Sequence, residues 1–156
     1  MQITNLTPIR LTAEDLSEFA PRLSSVQQIY SPTAPRKPAC ILGWRERWWL
    51  NNTPARQVML NYWLFASDEE ALIAADEGRF RLSARTVLIN GRRESIYQPS
   101  KDADSLLGDR VWQAEHNFLF VRQNVVVWVA EFGKQVPLQT TLSISRKILE
   151  KIDNQF

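Results

Sequence analysis

The chain has 156 residues, 44% of them hydrophobic and 23% charged, which is typical of one globular domain and excludes a disordered chain. Its net charge of +2, from 19 basic and 17 acidic residues, is too small to indicate a protein dedicated to duplex nucleic acid. The single cysteine excludes an intramolecular disulfide. No stretch resembles a membrane span or a signal peptide, so we expect one soluble cytoplasmic domain over residues 1–156. An exported domain without its leader is the alternative.

The first 40 residues predict a short helix followed by an extended segment. Thr12 can accept a hydrogen bond from the N–H three residues on, which predicts a helix from Thr12 to about Phe19, before Pro21. Three prolines at three-residue spacing then disfavour helix and inner strand. Residues 24–40 are therefore predicted to form a long loop or a sheet edge.

The next segment predicts a hairpin and then a helix. Residues 41–50 and 58–66 resemble strands, and the turn residues 51–54 between them predict an antiparallel pair. Ser67 and Glu70 form a capping-box pattern, which predicts a helix over residues 68–77 with Leu72 and Ile73 as its bulky apolar residues and Gly78 after its end.

A second hairpin is predicted at Asn90-Gly91, because both residues readily adopt positive φ. Its strands cover residues 86–89 and 92–97, and the polarity of the second strand places it at an edge. Residues 98–104 are predicted to form a polar loop, and residues 111–116 another strand.

A third hairpin covers residues 118–132 and contains a polar break at Arg122-Gln123-Asn124, where Asn124 tolerates the left-handed conformation. The run from Val125 to Glu131 is apolar on both faces. Such a strand is predicted to be central in a sheet and covered on both sides.

A final helix is predicted to begin at Thr140 or Thr141 and to end near Asn154. Its apolar side is formed by Leu142, Leu149, Ile152 and Phe156, with Ser145 and Ile148 beside it.

The most distinctive chemistry lies on the predicted strand 41–50. Alternation places Trp44, Glu46, Trp48 and Leu50 on one face and Arg45, Arg47 and Trp49 on the other. The second face could bind a planar ligand or a nucleotide base, with the arginines on phosphate. The alternative is packing, in which Trp44 and Trp48 belong to the core and the two arginines lie along Trp49.

The remaining reactive residues favour structural roles. Glu115 and His116 are neighbours, but on a strand they would point to opposite faces and would not form an acid–base pair. Cys40 lacks a neighbouring base and is expected to be half-buried. The sequence contains no metal-ligand spacing, no phosphate-binding glycine loop and no nucleophile elbow, so it predicts no cofactor, no metal and no catalytic residue.

The order of these signals resembles small bacterial domains of the photosystem II extrinsic subunit P type (PsbP-like) over residues 11–156. The resemblance rests on short motifs: Thr12-Ala-Glu-Asp15-Leu16, Ser67-Asp-Glu-Glu-Ala71, Leu107-Gly108-Asp109, the turn Arg122-Gln123-Asn124-Val125, and the C-terminal helix. It implies an α/β/α sandwich and a binding or accessory role, and it supplies no catalytic residues.

We therefore expect an α+β domain, with a twisted, mainly antiparallel sheet of about six strands and helices on both faces. The predicted function is a non-enzymatic binding or accessory domain for an unidentified protein partner, with self-association as one form of it. A small-molecule or single-stranded nucleic-acid binder using Arg45, Arg47 and Trp49 is the first alternative, although the low net charge does not favour nucleic acid. An enzyme of unidentified type is the second.

Overall fold

The computed structural model describes residues 2–29, 40–78, 85–96, 98–99, 110–132 and 135–156. These residues form an α+β fold with an antiparallel main sheet, a separate two-stranded sheet and two α-helices. The strands are β1 Arg22–Gln28, β2 Leu42–Leu50, β3 Thr53–Leu64, β4 Arg85–Ile89, β5 Arg92–Ile96, β6 Gln98–Pro99, β7 Arg110–Ala114, β8 Asn117–Arg122 and β9 Val125–Phe132; the helices are α1 Asp68–Gly78 and α2 Leu138–Asp153. The predicted class, α+β with an antiparallel sheet, is confirmed.

Strand β9 lies at the centre of the main sheet, whose order is β1-β2-β3-β9-β8-β7-β6. Val127 belongs to a core that includes Ile148 of α2, which we call the α2 core. Val126 belongs to a second core that includes Ala74 of α1, which we call the α1 core. Because neighbouring strand residues point to opposite faces, the two cores lie on opposite sides of β9. The prediction of a central strand that is apolar on both sides is confirmed.

The turn before β9 has two residues, Gln123 and Asn124, because Arg122 still pairs with Val125. The positive φ, 55°, belongs to Gln123. Asn124 tolerates the left-handed conformation but does not adopt it, and its side chain forms hydrogen bonds with buried backbone groups of Ile3 and Phe65.

The predicted helix from Thr12 to Phe19 is wrong. The local cap does form, because the N–H of Asp15 donates to Thr12 Oγ1 at 3.3 Å and the Asp15 carboxylate accepts from the N–H of Thr12 at 2.6 Å. Only a turn and the 3₁₀ helix Ser17–Phe19 follow. Ala20 takes a φ of 45°, and the chain then enters β1. The local cap is therefore not followed by an α-helix.

Strand β1 forms one end of the main sheet and pairs with β2. For residues 24–28 this confirms the sheet-edge interpretation, whereas the three prolines lie outside the described residues. The motif at residues 107–109 and most of the predicted loop 98–104 also lie outside them. The loop prediction is wrong for residues 98 and 99, because they form strand β6 and pair with β7.

Two hairpin turns follow their local sequence. Asn51 and Asn52 both have positive φ, 53° and 52°, and form a two-residue turn between β2 and β3. Thr53 and Pro54, which were predicted to belong to the turn, already lie in β3. Asn90 and Gly91 also have positive φ, 51° and 77°, as predicted. The strands flanking Asn90 form the separate sheet β4-β5, so β5 is not an edge of the main sheet.

Helix α1 begins with the predicted cap, since Ser67 Oγ accepts the N–H of Glu70 at 3.1 Å. Its contact with the sheet is made by small residues, Ala71, Ala74 and Ala75, which allow close approach. The bulky Leu72 and Ile73 are 38% and 43% exposed.

Helix α2 begins at Leu138, before the predicted threonines. Pro137 is the N-cap residue in an extended conformation, and no side chain caps the helix. Thr141 instead donates its hydroxyl proton to the Leu138 carbonyl oxygen inside the first turn, so the predicted threonine cap is wrong. The buried residues of α2 are Thr141, Ile144, Ser145, Ile148 and Ile152. Phe156, which was predicted on the apolar side of the helix, is 50% exposed and does not belong to its buried side.

Candidate functional site

The alternation predicted for β2 is confirmed. Trp48 and Leu50 are buried in the α2 core, Trp44 packs partly against it, and Glu46 is buried on the same side. Arg45, Arg47 and Trp49 lie half-buried on the opposite side of the strand. Together with Arg22 of β1 and Asn61 of β3, they form the surface that we call the Arg/Trp face.

Arg45 is held in a fixed orientation by its neighbour on β3. Its Nε donates to Asn61 Oδ1 at 2.7 Å, and Asn61 is fully buried. The Asn61 carboxamide in turn donates to the carbonyl oxygen of Trp128 at 3.4 Å. No described residue accepts a bond from the terminal amino groups of Arg45. The guanidinium is therefore positioned by Nε and presents its two remaining nitrogens.

Arg45 and Arg47 also interact through their charges. Burial lowers the pKa of Arg45, and the positive charge of Arg47 lowers it further. The guanidinium stays protonated at neutral pH, so its partial desolvation beside a like charge is an electrostatic cost. A bound anion would offset that cost.

Trp49 packs under Arg22. The guanidinium carbon of Arg22 lies 5.2 Å from the centroid of the Trp49 ring, which is within cation–π range. The packing interpretation assigned this role to Arg45 and Arg47 and missed Arg22. The pairing of Arg22 with Trp49 across β1 and β2 could only be found from the strand register.

The strands beside these residues contribute no acidic group to the Arg/Trp face within the described part of the chain. The register places the following residues on that side: Ser25 and Gln27 of β1, Gln57, Met59, Asn61 and Trp63 of β3, and Val126, Trp128 and Ala130 of β9. Helix α1 packs near Trp63 and Val126, at the other end of this side. None of these described strand residues is acidic.

A buried polar cluster on the opposite side of β2 was not predicted. Glu46 is 1% exposed, and its Oε2 lies 3.4 Å from Arg10 Nη2. Burial raises the pKa of Glu46, although the charge of Arg10 acts against it. The Tyr62 oxygen accepts the N–H of Leu11 at 3.3 Å. The cluster thus joins the N-terminal segment to the sheet.

His116 has a structural contact. The predicted strand through residue 116 ends at Ala114, and Glu115 and His116 form the turn to β8, with a φ of 55° at Glu115. His116 Nδ1 lies 2.8 Å from the Val136 carbonyl oxygen. The ring therefore ties this turn to the segment that leads into α2.

Cys40 is half-buried, as predicted, at the border of the α1 core. Burial raises the pKa of its thiol. The uncharged thiol is therefore favoured, which is unsuited to a nucleophile.

An open groove of about 510 Å³ lies between residues 14–18 and α2. Its lysines pair within it, since Lys151 Nζ lies 2.6 Å from Asp15 and Lys147 Nζ lies 2.8 Å from Glu18. The groove therefore neutralises its own cations.

Comparison of the sequence with protein-family models and with curated proteins finds no match. Neither helix of the described structure has the length and apolarity needed to cross a membrane. The described residues contain no group of three histidine, cysteine or acidic side chains that could hold a metal ion.

Proposed function

We propose that the protein is a non-enzymatic binding or accessory domain that recognises a protein partner through the Arg/Trp face. The observation that carries the proposal is the fixed Arg45 guanidinium, held by a buried asparagine on a face whose strands supply no acid. A side chain that is already ordered loses little conformational entropy when a partner binds.

The composition of the face supports the same function. Arginine and tryptophan are enriched among the residues that dominate binding energy in protein interfaces. Arg22, Arg45, Arg47 and Trp49 lie on two adjacent strands, so a partner can contact them together. The rigid sheet beneath them keeps their spacing constant.

We also propose that the fold is an α/β/α sandwich and that the chain is related to PsbP-like domains. The packing of α1 and α2 against opposite sides of β9 supports the sandwich. A PsbP-like relationship would agree with an accessory role.

A second candidate is a small-molecule or single-stranded nucleic-acid binder that uses the same face. It is favoured by the position of Trp49 beside two arginines, a combination that suits a planar anionic ligand. Quenching of tryptophan fluorescence by nucleotides, lost at high salt, would support it. An unchanged signal in Trp49→Ala would remove Trp49 from the site.

Affinity capture from a lysate of the source organism tests the main proposal. The wild type is compared with Arg45→Gln and Trp49→Ala, and with Arg56→Gln as a matched control. Arg56 is exposed on β3 and, by alternation with Gln57, points away from the Arg/Trp face.

We expect a protein retained by the wild type and by Arg56→Gln to be lost with Arg45→Gln and Trp49→Ala. A measurement of solution size detects a second copy of the chain as the partner. The proposal would be contradicted if the protein were a strict monomer that retains no partner. It would also be contradicted if both site variants retained the same partner as the wild type.

A further inference from the structure

We infer that β1 is an interface at which a second copy of this chain pairs edge to edge, antiparallel and about a two-fold axis. The interface is formed by backbone groups on the outer edge of residues 23–28, not by the side chains of the Arg/Trp face. The inference therefore goes beyond the proposed function and does not depend on it.

The first observation is the position and exposure of β1. It lies at the end of the main sheet, and within the part of the chain that the structure describes no other strand pairs with its outer edge. Ser25 is half-buried, and the other six residues of the strand are exposed. The outer edge of such a strand presents N–H and C=O groups with which another strand can pair.

The register with β2 shows which backbone groups point outward. The N–H of Ile29 donates to the Gly43 carbonyl oxygen at 3.0 Å, so the backbone groups of Ile29 face β2. In an antiparallel pair, successive residues alternate between facing the partner strand and facing away from it. The backbone groups of Val26 and Gln28 therefore point to the free edge, whereas those of Gln27 face β2.

Two apolar side chains lie along the same edge. Leu23 is 44% exposed and Val26 is 40% exposed. They pair with Trp48 and Glu46, which share one side of β2, and the irregularity in the register between Leu23 and Ser25 allows both to lie on that side. A second β1 would place another leucine and valine beside them, and this contact would remove apolar area from water.

The charge pattern favours a second copy as the occupant. Residues 23–28 contain no charged side chain, so antiparallel self-pairing within this stretch places no like charges opposite each other. Natural edge strands are often protected from pairing by lysine, proline or inward-pointing charges. Residues 23–28 contain none of these.

The other end of the main sheet explains why the assembly closes as a dimer. Strand β6 has only two residues, and one of them is Pro99, which has no backbone N–H. Pairing of β1 with β6 of another copy would continue without closing, and this short strand does not favour it. Pairing of β1 with β1 uses the same surface on both copies and closes after two.

Sedimentation velocity over a range of protein concentrations tests the inference. The proteins are the wild type, Val26→Lys and the matched control Ile73→Lys, each checked for folding by circular dichroism. Ile73 lies on α1 and is 43% exposed, so the control makes a similar change at a similar exposure on another element.

We expect the wild type to change from monomer to dimer between about 1 µM and about 1 mM. Val26→Lys should raise the dissociation constant of the dimer at least about tenfold, because it places like charges on two adjoining edge strands. Ile73→Lys should leave the dissociation constant unchanged.

Amide hydrogen exchange of the wild type tests the same interface without any substitution. It is followed by NMR below and above the measured dissociation constant. The amides of Val26 and Gln28 should exchange at least about tenfold more slowly in the dimer. The amide of Gln27 already faces β2, so its exchange should change little and it serves as an internal control.

The inference would be overturned by a monomer at every concentration, by an open series of larger oligomers, or by a dimer that Val26→Lys does not weaken. It would also be overturned if the amides of Val26 and Gln28 gained no protection in the dimer. The proposed function is tested separately, because loss of a captured partner with Arg45→Gln does not depend on pairing at β1.

Discussion

The side chain of Asn124 bonds to both backbone groups of Ile3, a residue 121 positions away in the sequence. Asn124 Oδ1 accepts the N–H of Ile3 at 2.9 Å, and Nδ2 donates to the Ile3 carbonyl oxygen at 2.7 Å. The same Nδ2 donates to the carbonyl oxygen of Phe65 at 2.8 Å. One buried carboxamide therefore joins the N-terminal segment, the end of β3 and the turn before β9.

Asn124→Ala is expected to lower the free energy of unfolding by about 2–4 kcal/mol. The substitution leaves one buried N–H and two buried carbonyl groups without this partner, and each unpaired group carries a desolvation cost. Chemical denaturation measures the loss. The exposed Asn154→Ala is the control and should change stability by less than about 0.5 kcal/mol. A loss below about 1 kcal/mol for Asn124→Ala would contradict this account.

Gly43→Ala is expected to destabilise the fold by about 1–3 kcal/mol. A Cβ at Gly43 would lie 2.6 Å from the backbone oxygen of Ile29 and 2.9 Å from Trp63 Cδ1. The N–H of Ile29 donates to Gly43 oxygen at 3.0 Å, so the two backbones cannot separate without losing this bond. Thermal and denaturant unfolding measure the effect, and an unchanged midpoint would show that the contact relaxes freely.

Gly91→Ala is also expected to destabilise the fold, but for a different reason from Gly43→Ala. A Cβ at Gly91 meets no atom within 4 Å, but the residue has a φ of +77°. The expected loss is about 1 kcal/mol, from backbone conformation alone. Unfolding measurements on both variants separate steric from conformational cost; a larger loss at Gly91 than at Gly43 would reverse our interpretation.

The carboxyl group of Glu46 should make stability fall as pH rises. Burial raises its pKa above the usual 4.5, although Arg10 opposes this, so the folded protein binds this proton more tightly than the unfolded chain does. Its contribution is complete below the unfolded pKa and is lost as pH rises through the folded pKa. The unfolding free energy of the wild type minus that of Glu46→Gln should therefore decrease as pH rises above 4.5. A difference that increases over this range would contradict the assignment.

Asp15 should show the opposite sign. Burial acts to raise its pKa, but the Lys151 ammonium and the N–H and hydroxyl of Thr12 outweigh burial and hold the pKa below 3.8. Its contribution is present above the unfolded pKa and is lost as pH falls through the folded pKa. The difference in unfolding free energy between the wild type and Asp15→Asn should shrink on acidification below about pH 4. The exposed Glu14→Gln is the control, and an equal effect there would argue against the Asp15 contacts.

Several elements could be predicted because their signals are local. The turns at Asn51-Asn52 and Asn90-Gly91 depend on residues that tolerate positive φ, and the cap of α1 depends on Ser67 and Glu70. The central position of β9 follows from apolar residues on both of its sides. The alternation that places Arg45 and Trp49 together follows from strand geometry alone.

Other elements depended on contacts between distant segments. Strand β1 carries mostly exposed residues, so no periodic pattern marks it, and its pairing with β2 decides its conformation. The cap at Thr12 formed, but only a turn and the 3₁₀ helix Ser17–Phe19 follow it. Helix α2 begins at Leu138, before the predicted Thr140 or Thr141, because the extended Pro137 is its N-cap residue. The search for a threonine cap could not indicate this start.

The class of the fold, the central strand and the two-sided character of β2 follow from the spacing of residues within one segment, so they can be predicted from the sequence. Which side chains meet is set by the packing of distant segments. Asn61 contacts Arg45, Arg22 packs over Trp49, Arg10 contacts Glu46, and Asn124 bonds to Ile3. Hydrogen bonds and ion pairs act over a few ångströms. The partners that fix them come from strands and segments whose approach no local pattern specifies.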